Sequence, residues 1–167
     1  MVSVGHEFPE FQMEACNKDN EILTVGRVPD QWAVYYFYPK DFTFICPTEI
    51  SGMDILVDSA RVLGISGDNE WCKLAWKQSN ELIGDINHTL AADSGLYLAE
   101  ECGVVNEEEG VCYRATFIVD PSNVVQHVSV NALDTGRNAE EIQRTLQALK
   151  AGGLTGCAWQ PEDDFVA

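Results

Sequence analysis

Apolar residues follow two rhythms along this chain. The densest run, residues 32–38 (WAVYYFY), has no helical period and is rich in aromatic and β-branched side chains, which predicts a buried strand. Residues 61–66 (RVLGIS) predict a second one. Residues 8–25 alternate loosely around turn residues at 17–20, which predicts an N-terminal β-hairpin with Cys16 ending its first strand. Residues 86–92 read as extended, and 111–120 and 124–130 predict an antiparallel pair joined by a compact turn at Pro121.

Helical signals fall between these strands. Pro47 directly after Cys46, with Glu49 in the same turn, opens a helix expected to reach about residue 57. Asn69 supplies a cap for a helix over 70–82, whose spacing places Trp71, Leu74, Ala75 and Gln78 on one face. Asp93 and Ser94 cap a short helix that Gly103 stops after Cys102. A last amphipathic helix over 138–150 carries Ile142, Leu146 and Leu149 and ends at Gly152 and Gly153. Strand, helix and strand over 32–66 predict a parallel crossover. The expectation is an α/β fold: a central mixed β-sheet flanked by helices, preceded by a β-hairpin. It makes one domain over 1–150, with a mobile C-terminal tail over 151–167.

Charge narrows the partners. Lys and Arg number 10 against 27 Asp and Glu, a formal charge of −17. That excludes nucleic acid as an expected ligand, because phosphate contacts are made by Lys and Arg, and it disfavours anionic membrane surfaces. No apolar run is long enough to span a membrane, and residues 1–9 lack a signal-peptide pattern, so a cytoplasmic location is expected. None of the 6 cysteines pairs as C-x-x-C, and the 3 histidines are isolated, so no metal site is expected.

Candidate chemistry gathers at Cys46. A strand hands this thiol to a helix N-terminus, where unpaired N–H groups and the helix dipole favour negative charge and hence the nucleophilic thiolate. Arg114 opens an apolar strand and therefore needs an anionic or hydrogen-bonding partner. Sequence alone leaves open whether that is a structural ion pair or the Cys46 sulfur. Thr43 reads either as a helix cap or as a hydroxyl serving the site. Cys157 lies in the tail beyond Gly152, Gly153 and Gly156, which suits either an idle thiol or a second redox partner.

The order P-x-x-x-T-x-x-C at Pro39, Thr43 and Cys46, within DFTF and CPTE, resembles the reactive loop of the peroxiredoxins. Within that family it is most similar to the typical two-cysteine group that includes the alkyl hydroperoxide reductase C proteins. The resemblance covers about Phe8 to Trp159 and extends to R-x-T-F-I-x-D at Arg114. It implies a thioredoxin-like fold and a thiol-dependent peroxidase acting on hydrogen peroxide and organic hydroperoxides, without metal, haem or flavin. It implies that Cys46 attacks peroxide, Thr43 and Arg114 hold it, and Pro39 shields the sulfur. Glu49, Trp76 and Arg137 would support them. Cys157 would resolve the sulfenic acid across a homodimer, with a ring of dimers as the family's larger assembly, and a thioredoxin-like or dedicated disulfide reductase would restore the thiols.

Three departures from the family pattern matter. The tail has Thr155 at the usual spacing before Trp159, so Cys157 is shifted in register. The segment between Glu49 and Arg61 is short. The Tyr-Phe ending and the GGLG loop of peroxide-sensitive members are missing. Two alternatives stay open: a one-cysteine peroxidase resolved by an external thiol, and a redox-inactive holdase on the same fold. By analogy with the robust members, Cys46 is expected to resist overoxidation. Mass spectrometry after turnover at low peroxide should find little sulfinic acid there, and abundant sulfinic acid would count against the analogy.

Overall fold

The structure is a computed structural model that describes residues 1–167. A hairpin of β1 (Gln12–Cys16) and β2 (Ile22–Gly26) comes first, followed by β3 (Ala33–Phe37). All five β3 residues are buried, as an unbroken apolar run requires. The loop over 38–45 then leads into α1 (Cys46–Met53), continued by one 3-10 turn at Asp54–Leu56. Next come β4 (Arg61–Ser66), α2 (Glu70–Ser79), β5 (Thr89–Ala92) and α3 (Tyr97–Cys102). A two-stranded ribbon follows, β6 (Val105–Asn106) with β7 (Val111–Cys112). The chain closes with β8 (Arg114–Val119), β9 (Val125–Asn131) and α4 (Ala139–Ala151).

The main sheet runs β2-β1-β5-β4-β3-β8-β9. Its middle, β5, β4 and β3, is parallel, and both flanks are antiparallel. One apolar cluster, centred on Tyr35, Phe37 and Phe117, covers one face. The other, centred on Tyr36, Ile50 and Ile118, covers the opposite face and contains Cys46. The hairpin, the parallel crossover through α1 and the mixed sheet are all as the hydrophobic pattern predicts. The expected strand 111–120 is instead two. The Tyr113 N–H donates to the Val104 carbonyl, which diverts β7 into its own ribbon and leaves β8 alone in the sheet.

A second correction concerns α2. Its inward residues are Lys73, Trp76 and Lys77; Trp71, expected inside, is 61% exposed, and the helix ends at Ser79 rather than 82. Hydrophobic periodicity fails here because two lysines face the core with partners. The Lys77 ammonium donates to the Asn17 carbonyl at 2.6 Å. The Lys73 ammonium, fully buried, donates to Ser66 Oγ at 2.6 Å and to both Asp41 oxygens at 3.3 Å. Burial pushes the Asp41 carboxyl up and the Lys73 amine down, while their mutual attraction opposes both shifts. The Tyr38 hydroxyl also donates to Asp41 at 2.7 Å, and the Asp41 N–H donates to Asp68 at 2.8 Å. Asp41 thereby ties the loop before α1 to β4 and α2.

The tail, expected to be mobile, folds back on itself. Trp159 stacks on Phe165 with ring centroids 6.0 Å apart, and Arg144 on α4 donates to the Trp159 carbonyl at 3.1 Å. The Val166 N–H donates to the Leu154 carbonyl at 2.9 Å. No helix is long and apolar enough to cross a membrane.

Replacing Lys73 by Ala would strand a buried carboxylate. Urea unfolding is expected to show a loss of about 3–5 kcal/mol, and a loss under about 1 kcal/mol would refute a structural role for the pair.

Candidate active site

Cys46 is the first residue of α1, held against the end of β3 and 1% exposed. Glu49 lies three positions on, so its carboxylate returns to the same helix face. Arg114 enters from the start of β8, a strand paired with β3, and Arg137 from the connection between β9 and α4.

These four side chains meet. Arg114 Nη1 donates to Cys46 Sγ at 3.3 Å and to Glu49 Oε2 at 2.7 Å, while its Nε donates to the Leu133 carbonyl at 2.7 Å. Arg137 reaches the other Glu49 oxygen twice, from Nε and from its backbone N–H, each at 3.0 Å. Its Nη1 donates to the Ala115 carbonyl and to Thr116 Oγ1 at 3.0 Å, its Nη2 donates to the Phe37 carbonyl, and its Cζ lies over the Tyr36 ring, 5.1 Å from the centroid. Burial alone would weaken the positive charge on Arg114; the Cys46 hydrogen bond and the Glu49 charge outweigh it and raise its affinity for the proton. The planar guanidinium serves Sγ and the carboxylate from Nη1 and the Leu133 carbonyl from Nε, a fixed fork that a compact ammonium does not reproduce.

The loop before α1 is shaped by its own bonds. Thr43 Oγ1 donates to the Lys40 carbonyl at 2.8 Å, and Phe42 takes a positive φ of 56°. Thr43 does not cap α1: Ile45 holds the cap position with no side-chain bond. Pro39 is half-buried at the loop entrance. Phe42 covers Trp76 with centroids 5.9 Å apart but stays 57% exposed itself, and Phe44 is 96% exposed. Trp76 shares the apolar cluster of Cys46 and packs on Tyr38 and Phe42.

Cys157 is exposed on a turn of the folded tail, and both Cys46 and Cys157 are free thiols. The remaining cysteines sit where burial holds the proton on sulfur. Cys102 and Cys112 are pushed up to about 12. Cys72 is pushed to about 11 by burial and by Asp41 and Asp68. Cys16 is raised by burial as well. A thiol that keeps its proton is a poor nucleophile, which suits all four to packing.

The structure thus joins Cys46, Arg114, Glu49 and Arg137 in one cluster, with Thr43, Pro39 and Trp76 around its loop and Cys157 apart on the tail. Sequence reasoning missed that Asp41 and Lys73 pin the loop. The one available signal was a pair of lysines inside an otherwise amphipathic helix.

Comparison with known proteins places this geometry in a family. A model described as the AhpC/TSA family matches residues 4–128. Alkyl hydroperoxide reductase C of Mycolicibacterium smegmatis is 36% identical over 184 residues, covering 99% of this chain and 94% of that protein. The putative peroxiredoxin YkuU of Bacillus subtilis is 39% identical over 170 residues, covering 95% of this chain and 94% of that protein. Among solved structures, the reduced 2-Cys peroxiredoxin of Plasmodium vivax superposes with a TM-score of 0.91 at 33% identity, covering 98% of this chain and 92% of that one. With a family model spanning most of its length and relatives aligned nearly end to end, the chain belongs to the AhpC/TSA family, as a peroxiredoxin resembling alkyl hydroperoxide reductase C.

Proposed function

We propose that this thiol-dependent peroxidase reduces hydrogen peroxide and organic hydroperoxides at Cys46, and that Cys157 resolves the oxidised sulfur. The observation that carries the reading is Arg114 Nη1, shared between Cys46 Sγ at 3.3 Å and Glu49 at 2.7 Å. Two guanidiniums face one carboxylate in a buried cluster, which leaves one positive charge directed at the sulfur. A sulfur anion balances it, and a buried charge without such balance is costly.

The thiolate attacks one peroxide oxygen, the S–O bond forms as the O–O bond breaks, and the leaving oxygen takes a proton to become water or an alcohol. Arg114, and Thr43 with its hydroxyl at the loop rim, stabilise the charge that develops on the two oxygens. Pro39 limits water at the sulfur, while Glu49, Arg137 and Trp76 hold these groups in place. The sulfenic acid then condenses with Cys157, releasing water and forming a disulfide. A thioredoxin-like or dedicated dithiol reductase returns two electrons and two protons. Cys46 is sealed at 1% exposure, so α1 must open before another thiol reaches it. The exposure of Cys157 on a surface turn suits attack on a partner subunit of a homodimer, itself able to join a ring. A cytoplasmic setting, with its reducing pool, fits this cycle.

Two substitutions test the reading. Cys157→Ser is expected to abolish the peroxide-induced disulfide in non-reducing mass spectrometry and reductase-dependent turnover, while Cys46 still becomes sulfenic acid. Undiminished turnover with a monothiol would instead favour resolution by an external thiol. Arg114→Lys keeps charge but loses the fork, so stopped-flow oxidation of Cys46 is expected to slow about 100-fold or more. A change under about threefold would remove Arg114 from the reacting centre.

A further inference from the structure

A buried hydrogen-bonded chain outside the sulfur's own contacts ends at the C-terminus of α1. Asp54 is the C-cap residue of that helix. A carboxylate at that junction, where the chain passes into the 3-10 turn, loses part of its solvation. Three donors offset it: the Asn87 N–H at 2.8 Å, Asn87 Nδ2 at 3.1 Å and His88 Nδ1 at 2.7 Å. Burial would push Asp54 up, yet these bonds bring it below the usual carboxylate range, so Asp54 is a carboxylate and accepts. His88 Nδ1 therefore carries the proton, and Nε2 accepts from the Tyr36 hydroxyl at 2.7 Å. Burial holds Tyr36 well above the usual phenol range, so that hydroxyl remains a donor. The neighbouring strand is cut to fit: a Cβ on Gly64, the residue paired with Tyr36, would lie 2.5 Å from the hydroxyl oxygen. The Tyr36 ring then carries Arg137 at 5.1 Å, and Arg137 holds Glu49, which holds Arg114 on the sulfur.

We propose that Asp54, His88 and Tyr36 are positioning residues that anchor the C-terminal end of α1 and thereby set how readily the Cys46 segment unwinds. Contacts bracket the helix at both ends: the Glu49 cluster holds its first turn, and the Asp54–His88–Tyr36 chain holds its last. Between them α1 has only eight residues, with Ile50 and Met53 packed in the core, so its order depends on tertiary contacts and the brackets secure its two ends. The consequence for disulfide formation rests on the two-cysteine reading above; the anchoring itself does not.

The chain has a pH signature. His88 faces Asp54 at the end of α1, Tyr36 on β3 and Lys77 on α2. Burial pushes its proton affinity down, Lys77 adds to that, and Asp54 opposes both. An unwound state frees His88 to titrate near its ordinary value of about 6.5. The folded state, with its lower value, binds fewer protons, so the anchor is whole above about pH 6.5 and weakens as pH falls below it.

Amide hydrogen exchange on the reduced protein tests this without involving Cys157. At about pH 7.5, His88→Phe is expected to lower protection of the α1 amides about tenfold while leaving β8 amides unchanged. Tyr36→Phe keeps the ring beneath Arg137 but removes the hydroxyl, so a smaller loss in the same residues is expected; it also carries the test if His88→Phe fails to fold. Wild-type α1 protection should fall between about pH 7.5 and about pH 5.5, and the fall should vanish in His88→Phe. Equal loss in α1 and β8, or unchanged α1 protection and pH dependence in the variants, would overturn the proposal. In stopped flow, the sulfenate-to-disulfide step should quicken in the variants. If Cys157 does not resolve Cys46, that kinetic arm alone fails and the exchange result stands.

Discussion

Everything at the reactive end of this molecule depends on the Glu49 carboxylate. Its two oxygens bind two guanidiniums, Arg114 at 2.7 Å and Arg137 at 3.0 Å, inside a site where all three side chains are nearly shut from solvent. Remove the carboxylate and two like charges would face each other in a low dielectric. Because Glu49 belongs to α1 and the arginines to β8 and the β9–α4 connection, one ion cluster fastens the helix, the sheet and the last connection together. It also fixes the direction in which Arg114 points the other N–H of Nη1, which is at the Cys46 sulfur. Structural cohesion and reactivity therefore share one set of bonds.

Much of this was legible in the chain because it is local. The strand–loop–helix hand-over at Cys46 is written in consecutive residues: an apolar run, Pro39, then Cys46 and Pro47. The two hairpins and the parallel crossover follow from strand spacing and turn residues, whereas the pairing of β1 with β5 and of β3 with β8 does not. What was not legible is what periodicity discards. Lys73 and Lys77 look like solvent-facing residues of an amphipathic helix, and only folding brings Asp41, Ser66 and the Asn17 carbonyl to meet them. His88 reads as an isolated histidine until β5 sets it between Tyr36 and Asp54, residues 52 and 34 positions away. Glu49 and Arg137 were named through resemblance alone, since no spacing pattern links positions so far apart.

The sealed sulfur creates a constraint that the helix composition answers. Under the proposed function, Cys46 reacts in a closed, cation-lined setting and leaves it to be resolved. A helix stable in its own right would hold it there. α1 is not such a helix. It has eight residues, includes Gly52 and the β-branched Thr48 and Ile50, lacks a side-chain N-cap, and has no basic residue in its last turn. Isolated helices this short are marginal in water. Its order is therefore lent by tertiary contacts: Ile50 and Met53 packed in the core, Glu49 to the arginines, and Asp54 to Asn87 and His88. Contacts at named side chains can be lost one bracket at a time, whereas backbone bonds of a strong helix resist as a unit. On this argument, and under the proposed function, the weak helix and its brackets form a single design: oxidation at Cys46 disturbs the Glu49 end, and the Asp54 bracket sets how readily the unwinding follows.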